Sequence, residues 1–212
     1  LNKNPVNPAI LSDILHRFRF SGNQFTFELK NLQVSSLAGS SLFTMKIGLL
    51  SDTHGFLDEQ LFSFFSDCEE IWHAGDIGNV EVAEKLSGFK PLRAVFGNID
   101  GRELRAFYSE HLFFEVEQLK VFITHIGGYP SKYAPKIKKQ LLELKPHIFI
   151  CGHSHILRIM RDSELNLLHI NPGAAGREGF HTVRTAVRFD LQSGQISQMQ
   201  VIELGKRGTQ KI

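Results

Sequence analysis

The stretch Met45-Lys46-Ile47-Gly48-Leu49-Leu50-Ser51-Asp52-Thr53-His54-Gly55 decides how the rest of the chain is read. Residues 46–50 form a short apolar run that stops at Ser51-Asp52, the pattern of a buried strand. A carboxylate, an imidazole and a glycine follow directly. Asp and His at that spacing converge on one point only if the backbone turns sharply, and Gly55 permits the turn. The arrangement recurs downstream. Trp72 leads into His73-Ala74-Gly75-Asp76, Phe96 into Gly97-Asn98-Ile99-Asp100-Gly101, Ile123 into Thr124-His125, and Ile150-Cys151 into Gly152-His153-Ser154-His155.

Around these points the chain alternates. Helical spacing covers 58–65 and 79–86, and strands are predicted over 70–73 and 91–96. This β-α-β-α-β order implies a parallel sheet with right-handed crossovers. A hairpin is predicted over 111–117 and 120–124, and a helix over 131–144 with Ile137, Leu141 and Leu144 on one face. A strand follows over 147–151. Residues 156–161, 165–170, 182–191 and 195–203 mostly alternate between turns such as Ser193-Gly194, as antiparallel strands do. The expected fold is α/β, with two packed mixed sheets flanked by helices. In such sheets ligands bind beyond the carboxyl ends of the strands, so the five polar clusters should face one crevice.

Composition narrows the class. The chain has 212 residues, enough for one domain with a substantial core. A hydrophobic share of 42% and a charged share of 22% are ordinary for a globular protein. The net charge of +2 is too small to point to nucleic acid or an anionic membrane as partner. No apolar run approaches the roughly 18 residues of a membrane span. Cys68 and Cys151, each in an apolar element, suggest a reducing compartment, and a cytoplasmic location is expected. Residues 1–44 read differently. Asn2, Asn4, Pro5, Asn7 and Pro8 are turn-rich, Phe18, Phe20, Phe25 and Phe27 alternate as two short strands would, and Ser35, Ser36, Gly39, Ser40 and Ser41 resemble a linker. They are expected to be an N-terminal extension, upstream or poorly ordered, before a domain at 45–212.

The candidate ligands are Asp52, His54, Asp76, Asn98, His125, His153 and His155. Histidines with carboxylates suit Zn, Mn, Fe or Ni better than Ca or Mg, which prefer oxygen alone. Seven ligands exceed one tetrahedral ion but fill two sites if a carboxylate bridges. Two ions about 3.5–4 Å apart form the usual clamp for phosphoryl displacement. Taken singly, Asp-x-His or Gly-Asp is most often a turn or a helix cap. Their conjunction, each behind a predicted strand, carries the inference.

These blocks resemble those of the calcineurin-like metallophosphoesterases: D-x-H, G-D, G-N-x-D, a lone His after a strand, and G-H-x-H. The match runs over about 46–203 and is most similar to the compact prokaryotic phosphodiesterase branch; the retromer subunit of the same fold lies near it. The resemblance implies a four-layer α/β/β/α sandwich. It implies one divalent ion on Asp52, His54, Asp76 and His155 and another on Asp76, Asn98, His125 and His153, with manganese favoured. It implies in-line hydrolysis of a small-molecule phosphoester by a bridging hydroxide, with Asp76 and Asn98 as catalytic residues and Asn98 also contacting substrate. A homo-oligomer is compatible with this reading. Many relatives carry His after the Gly-Asn, where this chain has Ile99, so a weaker general acid and a bias toward phosphodiesters are expected. The alternative is a non-catalytic interaction scaffold on the same fold.

Overall fold

The computed structural model describes residues 18–21, 24–27 and 44–208. Strand β1 (Phe18–Ser21) and strand β2 (Gln24–Phe27) pair as an antiparallel hairpin, as the alternating phenylalanines predict. The remainder of the expectation for residues 1–44 lies outside the described residues, apart from Thr44.

The alternating half follows: β3 (Met45–Leu50), α1 (Gln60–Phe64), β4 (Glu70–His73), α2 (Val80–Phe89) and β5 (Leu92–Ala94). A six-residue helix, α3 (Arg102–Phe107), comes next and was not expected from the sequence. Then come the hairpin β6 (His111–Val116) and β7 (Leu119–Thr124), and a small ribbon of β8 (Gly128–Tyr129) and β9 (Lys132–Tyr133). Helix α4 (Pro135–Leu144) begins later than the predicted 131–144. Pro135 holds the first helical position and forces Ala134 into extended backbone, so the helix cannot reach upstream. The chain ends with β10 (Ile148–Ile150), β11 (Leu157–Asp162), β12 (Leu167–Pro172), β13 (Val183–Gln192) and β14 (Gln195–Lys206).

Seven strands form one sheet in the order β1-β2-β14-β13-β3-β4-β5, and five form the other in the order β11-β12-β10-β7-β6. Both are mixed. The first is parallel from β3 to β5 and antiparallel beyond, and the second is parallel across β7, β10 and β12. Strand alternation separates the layers. Ile47, Leu49, Trp72, Val121, Ile123, Ile148, Ile150 and Ile170 form the core between the sheets. Leu50 and Ile71 turn to the other face, where they pack with Leu61 of α1, Val82 and Leu86 of α2 and Leu104 of α3. Phe122 and Phe149 face outward beneath Ile137 and Leu141 of α4. The result is an α/β/β/α sandwich, as the resemblance implied. The parallel strands β3, β4, β5, β7 and β10 end at one edge, and the loops that leave them carry the polar clusters.

Candidate metal centre

The structure brings the seven expected side chains together in two groups that share a boundary. Asp52, His54 and His155 form one, and Asp76, His125 and His153 the other. Asn98 joins the second, with Oδ1 3.0 Å from His125 Nε2. His155 Nε2 stands 3.0 Å from Asp52 Oδ1 and 3.4 Å from His54 Nε2. Asp76 Oδ2 lies between the groups, 3.2 Å from His125 Nε2 and 3.8 Å from His54 Nε2.

Local backbone geometry produces this convergence. Asp52, His54, Asp76, His153 and His155 adopt left-handed backbone, with φ from 48° to 65°. That region is uncommon outside glycine, but Asp and His tolerate it better than most residues. It bends each loop back over its strand end. Hydrogen bonds lace the loops together. Asp52 N donates to Gly75 O at 2.9 Å and His54 N to Asp76 O at 3.0 Å. His153 N donates to the Asp52 carboxylate and Ile99 N to Asp76 Oδ1. Each carboxylate therefore also fixes the loop of a neighbouring ligand. Gly97 is required by close approach: a Cβ there would lie 2.0 Å from Asp76 Oδ1.

Hydrogen-bond chemistry tests whether a cation fits. His125 Nδ1 lies 2.9 Å from the Ala74 carbonyl, so it donates there and turns Nε2 inward. Nε2 faces Asn98 Oδ1 and Asp76 Oδ2, where an ion would take the place of its proton. Around an ion bound at about 2.0–2.1 Å, neighbouring donor atoms stand about 3.0–3.4 Å apart. Four of the separations here agree with that spacing, and His54 stands wider, 3.8 Å from Asp76 Oδ2. Asp52 is fully buried and Asp76 is 2% exposed, and imidazoles face both. Buried carboxylates of this kind call for a cation. The donor set suits a divalent transition ion. His153 and Asn98 are exposed, so the centre opens to solvent on their side.

The surrounding residues support the loops. His73 Nδ1 accepts from Gly75 N, and its Nε2 lies 2.9 Å from Thr53 Oγ1, which donates to Ile77 O. Burial pushes His73 down to about 4, so it stays neutral and ties the Asp52 loop to the Asp76 loop. Asp100 accepts from the N–H groups of Gly97, Ile77 and Gly78. Arg105 is occupied by the carbonyls of Asp100, Gly97 and Asn98, and it braces the Asn98 loop. Arg102 stays exposed on α3, and Tyr129 is covered by Arg158 with 4.1 Å between guanidinium and ring centre. Asn171 donates to Gly152 O and Ser154 Oγ beneath the His153 loop and steadies that turn.

One residue was missed by sequence reasoning. His181 Nδ1 lies 3.2 Å from His155 Nδ1, and its Nε2 lies 3.1 Å from the Gly176 carbonyl. Burial lowers its pKa, which keeps it neutral and able to accept from His155. It carries no motif and follows no strand, so spacing gave no signal for it.

Known proteins share this arrangement of strands and loops. A model of the calcineurin-like phosphoesterase superfamily domain matches residues 45–194. A probable metallophosphoesterase of Methanothermobacter thermautotrophicus is 32% identical over 137 residues, covering 61% of this chain and 77% of that protein. A phosphodiesterase of Methanocaldococcus jannaschii is 30% identical over 145 residues, covering 61% of this chain and 83% of that protein. Among solved structures, Vps29 of Chaetomium thermophilum superposes with a TM-score of 0.62 at 16% identity, covering 75% of this chain and 87% of that one. The strand-end loops that gather the polar residues all fall inside the matched span, and the chain belongs to the calcineurin-like phosphoesterase superfamily.

Proposed function

We propose that this protein is a dimetal phosphodiesterase acting on a small-molecule phosphoester. The observation that carries the reading is the meeting of carboxylate and imidazole donor atoms in two groups across Asp76. Asp52, His54 and His155 would hold one ion, and Asn98, His125 and His153 the other, with Asp76 shared. Two such ions, with manganese favoured, supply charge neutralisation at phosphorus and acidification of water for in-line attack. Asn98 is exposed, and its amide can donate to a phosphoryl oxygen. Ile99 is half-exposed and cannot move a proton, so water protonates the leaving group. This favours esters with good leaving groups. The similarity to an archaeal phosphodiesterase points the same way. The free thiols Cys68 and Cys151 fit a cytoplasmic setting.

The fold likeness to Vps29 makes an interaction scaffold the second reading, and the filled ligand set argues against it. Metal analysis with hydrolysis of bis(p-nitrophenyl) phosphate separates the two. Hydrolysis should vanish on chelation, return with Mn²⁺ and be abolished in Asp76→Ala. Absence of hydrolysis with Mn, Ni, Fe or Zn, or turnover indifferent to chelation, overturns the proposal.

A further inference from the structure

The two sides of the metal centre differ. Beyond His54 and His155 the protein is closely packed. A Cβ at Gly176 would lie 2.3 Å from the Thr53 carbonyl oxygen, and one at Gly179 would lie 2.0 Å from His155 Nδ1. Beyond Asn98 and His125 a cleft of about 330 Å³ opens instead. Asn98 and His125 form its inner wall, and Phe96, Ile126, Ala134 and Ile137 supply apolar surface. The Phe96 wall is stiff, because Arg105 lies 4.3 Å over the ring while its guanidinium is tied to the loop carbonyls. Besides Asn98 and His125, the polar side chains that line it are Arg105, Glu110, His111, Thr124 and Lys136. A mostly apolar concavity with a few polar points is the usual form of a small-molecule pocket, and this volume sits at the small end of that range.

We propose that this cleft receives the ester arm retained on phosphorus, not the leaving group, and selects for a retained arm bearing a planar ring. The inference rests on the phosphoesterase reading above. With the phosphoryl group beside Asn98 and His125, a substituent on that side adjoins the cleft. It extends into the cleft, where a ring meets Phe96, Ile126 and Ala134. A monoester or a small alkyl ester leaves this apolar surface in contact with water, so the cleft favours ring-bearing diesters by hydrophobic burial.

The test compares kcat/KM for p-nitrophenyl phenyl phosphate and p-nitrophenyl methyl phosphate, which share a leaving group. The wild type should prefer the phenyl ester by about tenfold or more, the scale set by apolar pocket contacts. Ala134→Trp, which fills the cleft, should erase that ratio, whereas Leu142→Ser on the outer face of α4 should leave both rates unchanged. A wild type without the preference, or an Ala134→Trp ratio equal to wild type, overturns the proposal. If Ala134→Trp fails to fold, titration of the zinc-loaded wild type with phenyl methylphosphonate decides. NMR shifts should concentrate at Ile126, Ala134 and Ile137, and their absence there refutes the cleft. Failure of the metal-loaded wild type to cleave either ester overturns the phosphoesterase reading, and the titration still judges the cleft.

Discussion

His181 stands behind His155 with their Nδ1 atoms 3.2 Å apart. The pair resolves as a directed chain: His155 Nδ1–H donates to His181 Nδ1, and His181 Nε2–H donates to the Gly176 carbonyl. This fixes the tautomer that turns the Nε2 lone pair of His155 toward Asp52. His181→Ala should therefore weaken metal affinity by about 10–100-fold, the range for removing a partner behind a ligand. Competition with a chromophoric chelator measures it. Wild-type affinity in the variant would refute the role.

Arg184 is buried, with Nη1 2.9 Å from Asp58 Oδ2 and Nη2 on the Leu204 carbonyl. It anchors the segment before α1 to β13. Removing one member of a buried pair costs about 3–5 kcal/mol, so Arg184→Met should lower the urea midpoint strongly. Burial disfavours the Asp58 anion, but the Gln60 N–H and Arg184 outweigh it and hold the carboxyl below its usual 3.8. The sign follows: this stability is complete above that value and disappears as pH falls through the lower folded value. Asp58→Asn should lose stability at neutral pH and narrow its gap to wild type under acid. Urea titrations across that window check this, and a constant gap contradicts it.

Two glycines should respond in opposite ways to alanine. At Gly97 the added methyl meets the Asp76 carboxylate, and overpacking of this kind costs about 1–3 kcal/mol while displacing the shared ligand. Loss of both stability and bound metal is expected. At Gly88, inside α2, a Cβ meets nothing within 4 Å. Gly88→Ala should raise stability by about 0.5–1 kcal/mol and leave metal content alone. Thermal unfolding and elemental analysis read both.

Metal uptake should depend on pH through His125. Burial pushes its imidazole toward the neutral form, but Asp76 and Asp52 outweigh burial and raise its pKa above 6.5. In the metal-free protein the proton therefore persists toward neutrality, and an incoming ion must displace it. Apparent affinity should climb as pH rises beyond the ordinary imidazole value of 6.5, with proton release visible when calorimetry is repeated in buffers of different ionisation enthalpy. A flat profile would exclude this competition.

The convergence of the seven candidate side chains was legible because each sits behind an apolar run, and strand ends in such a sheet face one edge. The later start of α4 was also written in the sequence, at Pro135. Helix α3 was not, because six residues give no period and Asp100-Gly101 looks like a turn. Its position depends on Arg105 reaching back to Gly97 and Asn98. His181 and the cleft were equally hidden. Both arise where segments distant in the chain come together: His155 beside His181, and Phe96 and Ala134 lining the same cleft.

The left-handed backbone at Asp52, His54, Asp76, His153 and His155 has an evolutionary corollary. At each of these positions glycine is the residue the main chain prefers, so exchanging ligand for glycine relieves torsional strain as it deletes a donor atom. The core between the sheets uses none of these side chains. Architecture and donor set are thus separable: glycine at any of these positions would keep the loop's shape while removing a candidate ligand.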